Sequence, residues 1–421
     1  MSQDSLQMLD GGKEDLILRH RSTGLKKSAS ALVFKTGTFY EFFCGGGMVR
    51  AGLGPNWNCL FSNDFDHKKS ITYRRNWGDK ELRTCDVRTV TPDSLPGHAN
   101  LVWASFPCQD LSLAGAGAGL KGDRSGTFWP FWEIVKGLIA QNRSPEIIIL
   151  ENVCGMLTSH KGADFAAICS AFQLAGYRCG ATVIDAALFV PQSRPRLFII
   201  AVHGDLQIPD SIHRQSHSPL WNSRALLGAY NKLSSKARRS WIWWDMPTPP
   251  ERLTSFADLI EPNPSSVQWH TAAETQQLLA MMSDVNRAKV NDAKKYSKKT
   301  GQCKVGTIYK RTRIDKSSGK VQRAEVRFDD VAGCLRTPAG GSSRQLIMVV
   351  DGNDVKSRLI SSRETAHLMG LPSGYILPEK YNEAYHLTGD GVVVPVVRHI
   401  AQHILEPLLA TSSTQLARVA A

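Results

Sequence analysis

The 421 residues include 51 Lys and Arg against 38 Asp and Glu, a formal net charge of +13, with 42% hydrophobic and 21% charged residues. That balance excludes a disordered, collagen-like or disulfide-stapled chain, and the length favours one large core plus a second, smaller one. The nine cysteines are odd in number and show neither a paired Cys-x-x-Cys nor zinc spacing, so reduced thiols and no metal site are expected.

Residues 1–35 are polar without a sustained apolar period and read as a tail. The start, Met1 to Lys13, lacks an apolar segment of signal-peptide type, and apolar runs such as Leu197 to Val202 are too short to span a bilayer. A cytoplasmic location without membrane contact is expected. From Thr38 the chain alternates. Thr38 to Phe43, Cys59 to Ser62, Leu101 to Ser105, Ile147 to Leu150 and Leu197 to Val202 read as strands, with helices over Asp66 to Trp77, Phe128 to Gln141 and Ala163 to Ala175. This order predicts a parallel-rich α/β sheet with ligand sites at the strand ends.

After about His203, Pro, Ser, Trp and Lys replace the alternation and a second domain is expected to begin. Helical periodicity returns over Arg358 to Met369 and Pro395 to Leu409. Between Asn286 and Arg327, fourteen Lys and Arg face three Asp and Glu, nearly the whole surplus of positive charge. A basic balance also serves plain solubility, but this concentration suits a phosphate-binding surface. Trp241, Trp243 and Trp244 lie near Arg238 and Arg239, where a packed junction is favoured over stacking on bases.

Chemistry concentrates at four places. Phe43-Cys44-Gly45-Gly46-Gly47 stands where a strand gives way to a helix, and the acids Asp64 and Asp86 follow. Glycines there let a ligand approach the backbone, an acid about twenty residues on can grip ribose hydroxyls, and Phe65 beside Asp64 can stack on a purine. Phe106-Pro107-Cys108-Gln109 places a thiol at a strand end, where backbone N–H groups can favour the thiolate. Glu151-Asn152-Val153, read as directly following a strand, brings a carboxyl to the same sheet edge, where burial can keep it protonated. Gln192-Ser193-Arg194-Pro195-Arg196 adds two guanidinium groups. Singly these have ordinary readings: a tight turn, a small buried thiol, salt bridges.

In this order and spacing the motifs closely resemble the DNA cytosine-5 methyltransferase family. The resemblance covers most of residues 38–203 and 330–410, and also includes Asn63-Asp64-Phe65, Asp86-Val87, Asp123-Arg124-Ser125-Gly126, Arg358 to Gly370 and Gly389-Asp390-Gly391-Val392. It implies a Rossmann-like S-adenosylmethionine-dependent methyltransferase sheet with a smaller inserted target-recognition domain. The large domain would be formed by residues 36–203 with 382–421, the recognition domain by 204–357, and a hinge by 358–381. It further implies that the Cys108 thiolate adds to C6 of a flipped-out cytosine, that Glu151 contacts N3 and the exocyclic amine, and that Arg194 and Arg196 hold the base carbonyl and its neighbours. S-adenosylmethionine would lie against Phe43, Cys44, Gly45, Gly47, Asp64, Phe65, Asp86, Val87, Phe106, Asp390 and Val392. Double-stranded DNA would meet a loop carrying Arg336, Gly340, Gly341, Ser342 and Arg344.

Two departures stand out. The family's turn usually has a further glycine where Met48 stands, and its last motif often has Asn-Ser where this chain has Asp390-Gly391. A carboxylate at 390 would repel the cofactor's own carboxylate unless a cation or water intervened. A transfer-RNA cytosine methyltransferase shares the chemistry, while a catalytically silent DNA binder would not need Cys108, Glu151, Arg194 and Arg196 together. Exocyclic-amine methylases usually carry an Asp/Asn-Pro-Pro-aromatic motif, missing here, and thymidylate-synthase-like enzymes would need neither the Phe43 turn nor the basic segment. A monomer, with a cognate restriction endonuclease as an optional partner, is the simplest expectation.

Overall fold

Strands whose residues are apolar on both faces belong in the middle of a covered sheet. The computed structural model, which describes residues 37–107, 125–315, 319–336 and 343–419, places them there. Strands β1 (Gly37–Phe42), β2 (Trp57–Asp64), β3 (Leu82–Thr84), β4 (Leu101–Ala104), β5 (Ile147–Val153), β6 (Tyr177–Asp185) and β7 (Pro195–His203) form a seven-stranded sheet in the order β3-β2-β1-β4-β5-β7-β6. The first five run parallel, whereas β7 is antiparallel to both β5 and β6.

Alternate residues face opposite sides. Phe39, Trp103, Ile147, Ile149, Phe198 and Ile200 join one core, and Tyr40, Phe42, Val102, Ile148, Leu150 and Ile199 join the other. The first is covered by helix α1 (Met48–Leu53) and by α11 (Val394–Ile400), among other elements. Gly52 lets α1 and α11 meet, since a Cβ there would lie 2.4 Å from Val397 Cβ. The second core is covered by α3 (Phe128–Ala140) and α4 (Ala163–Leu174) through Phe128, Phe131, Phe165 and Phe172.

Between β2 and β3 runs α2 (His67–Trp77), begun by the Asp66 side chain, which accepts from the Lys68 and Lys69 N–H groups. Past β7 come β8 (His213–Arg214), α5 (Arg224–Tyr230), α6 (Ser235–Arg239) and β9 (Trp243–Trp244). Leu206, Ile212, Trp221, Leu226, Ile242, Trp244 and Phe256 enter the cores of the large sheet. Trp241 and Trp243 pack on Tyr230, and Trp244 is fully buried, which gives the tryptophans a packing role.

A separate core begins only at Leu278. It is built from α7 (Ala272–Ala280), α8 (Asp284–Thr300) and an antiparallel sheet, β11-β10-β12-β13, of β10 (Lys304–Asp315), β11 (Gly319–Arg327), β12 (Leu346–Asp351) and β13 (Asp354–Leu359). The basic segment thus folds as α8 and the β10–β11 hairpin. Residues 206–256, expected in the smaller body, bury apolar side chains in the cores of the large sheet.

The chain then returns through α9 (Ser362–Leu368), α10 (Tyr381–Asp390), α11, a π-helical turn over 401–405 and α12 (Glu406–Val419). Among the described residues, the run Tyr381–Ser412 is the one helical stretch long and apolar enough to cross a membrane, and 61% of its apolar window is buried inside the protein. Arg358, expected in a helix, instead lies in β13. Its guanidinium makes a fully buried bidentate pair with Glu364 at 2.6 and 2.8 Å.

Candidate active site

Parallel strands put their carboxyl ends on one edge, and the antiparallel β7 delivers its amino end to that same edge. Phe42 pairs with Asn63 and Ala104, Ala104 with Leu150, and Val153 with Arg196. The four motif segments are thereby drawn together by sheet register alone.

After β1 the backbone turns sharply. Phe43 (φ 60°), Gly45 (φ 54°) and Gly47 (φ 78°) all adopt left-handed conformations, an uncommon arrangement for a phenylalanine and the kind of strain held at functional sites. A Cβ at Gly45 would meet no atom within 4 Å, so this turn faces open space. Its back is braced by Tyr375 Oη and Trp77 Nε1, which donate to the Gly46 carbonyl at 2.7 and 3.0 Å. Cys44 is buried, and burial pushes its thiol well up, which keeps it neutral. Beneath the turn Glu41 is fully buried. Desolvation pushes its carboxyl up to about 8 against the pull of Arg50, so it adds little negative charge there near neutrality.

At the end of β2 the Asp64 carboxylate accepts from Gly45 N and Asp66 N, each at 2.8 Å. Two of its lone-pair positions remain for hydroxyl donors. Burial pushes Asp64 up while Lys69 and the two N–H groups pull it back. Phe65 beside it is 68% exposed, an aromatic face available for stacking. Asp86 is exposed, caps a short 3-10 turn and pairs with Arg88, and Val87 is buried. An open glycine turn, a hydroxyl acceptor and an exposed ring fit an adenosyl cofactor.

The two departures meet in space. Met48 Sδ lies 2.2 Å from where a Cβ on Gly391 would stand, so the methionine fills room released by the missing side chain at 391. The unwanted charge at Asp390 meets Lys69, whose Nζ lies 2.7 Å from Asp390 Oδ2. Val392 is buried beside them in the core.

Glu151 lies within β5 rather than beyond it, because the strand continues to Val153. Arg196 Nε reaches Glu151 Oε1 at 3.2 Å. Desolvation raises the Glu151 carboxyl above its ordinary range, opposed by Arg196, Arg194 and a hydrogen bond with Ser105. Its neighbour Asn152 donates to the Phe106 carbonyl at 3.1 Å, which ties β5 to the segment entering Cys108. Asn152 stands inside the Glu151-Asn152-Val153 motif, whose pattern by itself assigns it no partner. Cys108, Gln109, Asp123 and Arg124 lie outside the described residues, as do Gly340, Gly341 and Ser342.

Arg194 lies just ahead of β7. Its guanidinium is buried, with Nη1 on Cys334 Sγ at 3.2 Å and the Leu335 carbonyl at 3.3 Å, and Nη2 on the Gly389 and Gly391 carbonyls at 2.8 and 2.7 Å. These four contacts engage its terminal N–H groups and clamp the 389–391 segment to the start of β7. Burial pushes the Cys334 thiol up, but Arg194, Arg196 and Arg336 outweigh this and bring it below its ordinary value. No sequence motif had marked Cys334. Gln192 is also buried and spans Leu368 O and Leu335 N. Arg336 is exposed, and Arg344 lies over the Tyr381 ring at 5.9 Å.

Arg194→Met preserves most of the volume while stranding several buried carbonyls. It should cost about 3 kcal/mol or more of stability, read in denaturant unfolding. An unchanged unfolding midpoint would contradict the clamp.

The sheet order, the strained turn after β1 and the acid closing β2 define an α/β methyltransferase built around a nucleoside-containing cofactor. The family model for C-5 cytosine-specific DNA methylases matches residues 37–406, and the chain belongs to that family. It is an S-adenosylmethionine-dependent enzyme that methylates C5 of cytosine in DNA. Similar curated proteins include the Type II methyltransferase M.MspI of Moraxella sp, 26% identical over 90% of this chain and 72% of the relative. The Type II methyltransferase M.HhaI of Haemophilus parahaemolyticus is 24% identical over 87% of this chain and 93% of its own. Among solved structures, the Entamoeba histolytica methyltransferase EhMeth has the same fold, with TM-score 0.59 and 14% identity over 89% of this chain and 99% of its own.

Proposed function

We propose that methyl transfer proceeds through a covalent adduct between Cys108 and cytosine C6, assisted by Glu151, on a base flipped out of double-stranded DNA. The observation that carries this reading is the buried Glu151, set at the sheet edge beside Arg196 and one residue before the Asn152 that holds Phe106. Cytosine C5 is a poor nucleophile until a thiolate adds at C6. Attack by Cys108 sulfur forms the S–C6 bond and moves the C5–C6 π electrons into the ring, while the raised Glu151 carboxyl supplies a proton to N3. When bound, S-adenosylmethionine supplies an electrophilic methyl group. Loss of the C5 proton to a base then restores the C5–C6 double bond and expels the thiolate, and N3 returns its proton to the Glu151 carboxylate.

In this proposal Phe43, Cys44, Gly45 and Gly47 line the cofactor turn, Asp64 takes the ribose hydroxyls, and Phe65 covers the purine. Asp86, Val87, Phe106, Asp390 and Val392 complete the surround. Arg196 steadies Glu151 and the base, and Arg194 acts at a distance by fixing residues 389–391. The recognition body is assigned to about 272–359, where α8 and the β10–β11 hairpin offer cations to phosphates and Arg336 heads the base-reading loop. A cytoplasmic monomer working beside a cognate restriction endonuclease suits relatives bearing the Type II name.

Base-resolution bisulfite sequencing of DNA and RNA from a methylation-free host expressing the chain tests the reading. Protected cytosines within one recurring DNA sequence are expected. Protection confined to RNA, or none with soluble protein, would overturn it.

A further inference from the structure

A lysine in the first turn of a helix is electrostatically misplaced, because the amino end already carries partial positive charge. Helix α2 nevertheless opens with His67, Lys68 and Lys69 and has no acidic residue in its first turn. Both lysines are answered from α10: Lys68 pairs with Glu383 at 3.2 Å and Lys69 with Asp390 at 2.7 Å. The pairs are not equivalent. The Lys68 side chain is 68% exposed, as expected of a docking contact at the surface, whereas that of Lys69 is only 20% exposed.

Lys69 also has a second acid. Burial alone would depress its ammonium, yet Asp390 and then Asp64 raise it above its ordinary value, so it stays charged. Two parts of the cofactor edge therefore bear on one side chain, the end of β2 through the charge of Asp64 and the end of α10 through Asp390, whose neighbour Gly391 is packed against Met48. A solvent-screened pair needed only for helix docking would not have to stand there.

We propose that Lys69 is a cofactor-positioning residue: with Asp390 it grips the zwitterionic amino-acid head of S-adenosylmethionine, the ammonium facing the ligand carboxylate and Asp390 facing the ligand ammonium. The inference rests on the assignment of this edge to the cofactor. The pair presents one charge of each sign, which complements a zwitterion. Without the lysine, Asp390 would be left as an uncompensated negative charge beside the ligand carboxylate.

The test is calorimetric titration of the full-length protein with S-adenosylmethionine, S-adenosylhomocysteine and 5′-methylthioadenosine, the last of which lacks the amino-acid head. In Lys69→Ala the first two should bind about ten- to hundredfold more weakly, the usual scale for a lost charge-assisted hydrogen bond, while 5′-methylthioadenosine binds as it does to the unsubstituted protein. Adding Asp390→Asn to Lys69→Ala should recover part of the loss by removing the unneutralised carboxylate. Lys69→Met, which keeps the aliphatic stem, gives the same comparison if the alanine variant does not fold. Equal weakening of all three ligands, or of none, would overturn the assignment and leave Lys69 a structural ion pair. Failure of the folded, unsubstituted protein to bind any of the three would overturn the cofactor reading beneath it as well.

Discussion

Cys108→Ser is expected to abolish covalent capture of a duplex carrying 5-fluorocytosine at the target position. The fluorine cannot leave as the C5 proton does, so an enzyme that adds a thiolate to C6 and methylates C5 halts as a denaturant-stable adduct. Turnover on ordinary DNA should fall on the order of 10⁶-fold, the scale seen when a covalent enzyme loses its nucleophile. The structure supplies a demanding control. Cys334 is a second thiol at this edge, 3.2 Å from Arg194 Nη1 and 3.9 Å from Arg196 Nη2, with its ionisation favoured by those cations. Cys334→Ala should still form the adduct, and mass spectrometry of the trapped peptide should place the base on Cys108. An adduct lost with Cys334 and kept with Cys108→Ser would exchange their roles.

The large sheet was legible wherever its strands are apolar runs, so β1, β2, β4, β5 and β7 were read close to their observed places. Two strands of that sheet escaped. Strand β3 is only three residues long, and β6 interrupts its apolar residues with Arg178, Gly180 and Thr182. Strands β10 and β11 were hidden by their charge, since one residue in three of each is Lys or Arg even though Ile308, Ala324 and Val326 are buried. The helix expected from Arg358 begins later because of a local start signal: Ser361 and Glu364 form a capping box, which starts α9 at Ser362 and leaves Arg358 to β13.

Motifs brought the site's parts within reach but not the contacts between them. Lys69 and Asp390 are 321 positions apart, and Arg194 is separated from the Gly389 carbonyl it clamps by 195. No local pattern reports such a pair. Asn152 was within reach of the sequence, because a buried strand end seldom spends an amide without a backbone partner. The compensation between Met48 and Gly391 needed the fold, since each alone read as a departure from the family.

Glu151→Gln isolates proton supply from shape. Glutamine keeps the length of the side chain and can still donate a hydrogen bond to N3, yet it cannot transfer a proton to it. The rate of methyl transfer under single-turnover conditions should therefore fall about 10²- to 10⁴-fold, while S-adenosylmethionine affinity holds. The pH profile follows from the raised carboxyl. Desolvation favours protonated Glu151 against the pull of Arg196 and Arg194, so the enzyme should lose activity as pH rises through that shifted value, and the Gln variant should lose this limb. Arg196→Met removes the guanidinium 3.2 Å from Glu151. With that opposing charge gone the carboxyl rises further, and the alkaline limb of the remaining activity should move to higher pH. A limb that stays fixed in Arg196→Met, or survives in Glu151→Gln, would assign the titrating proton to another group and reduce Glu151 to a hydrogen-bonding contact.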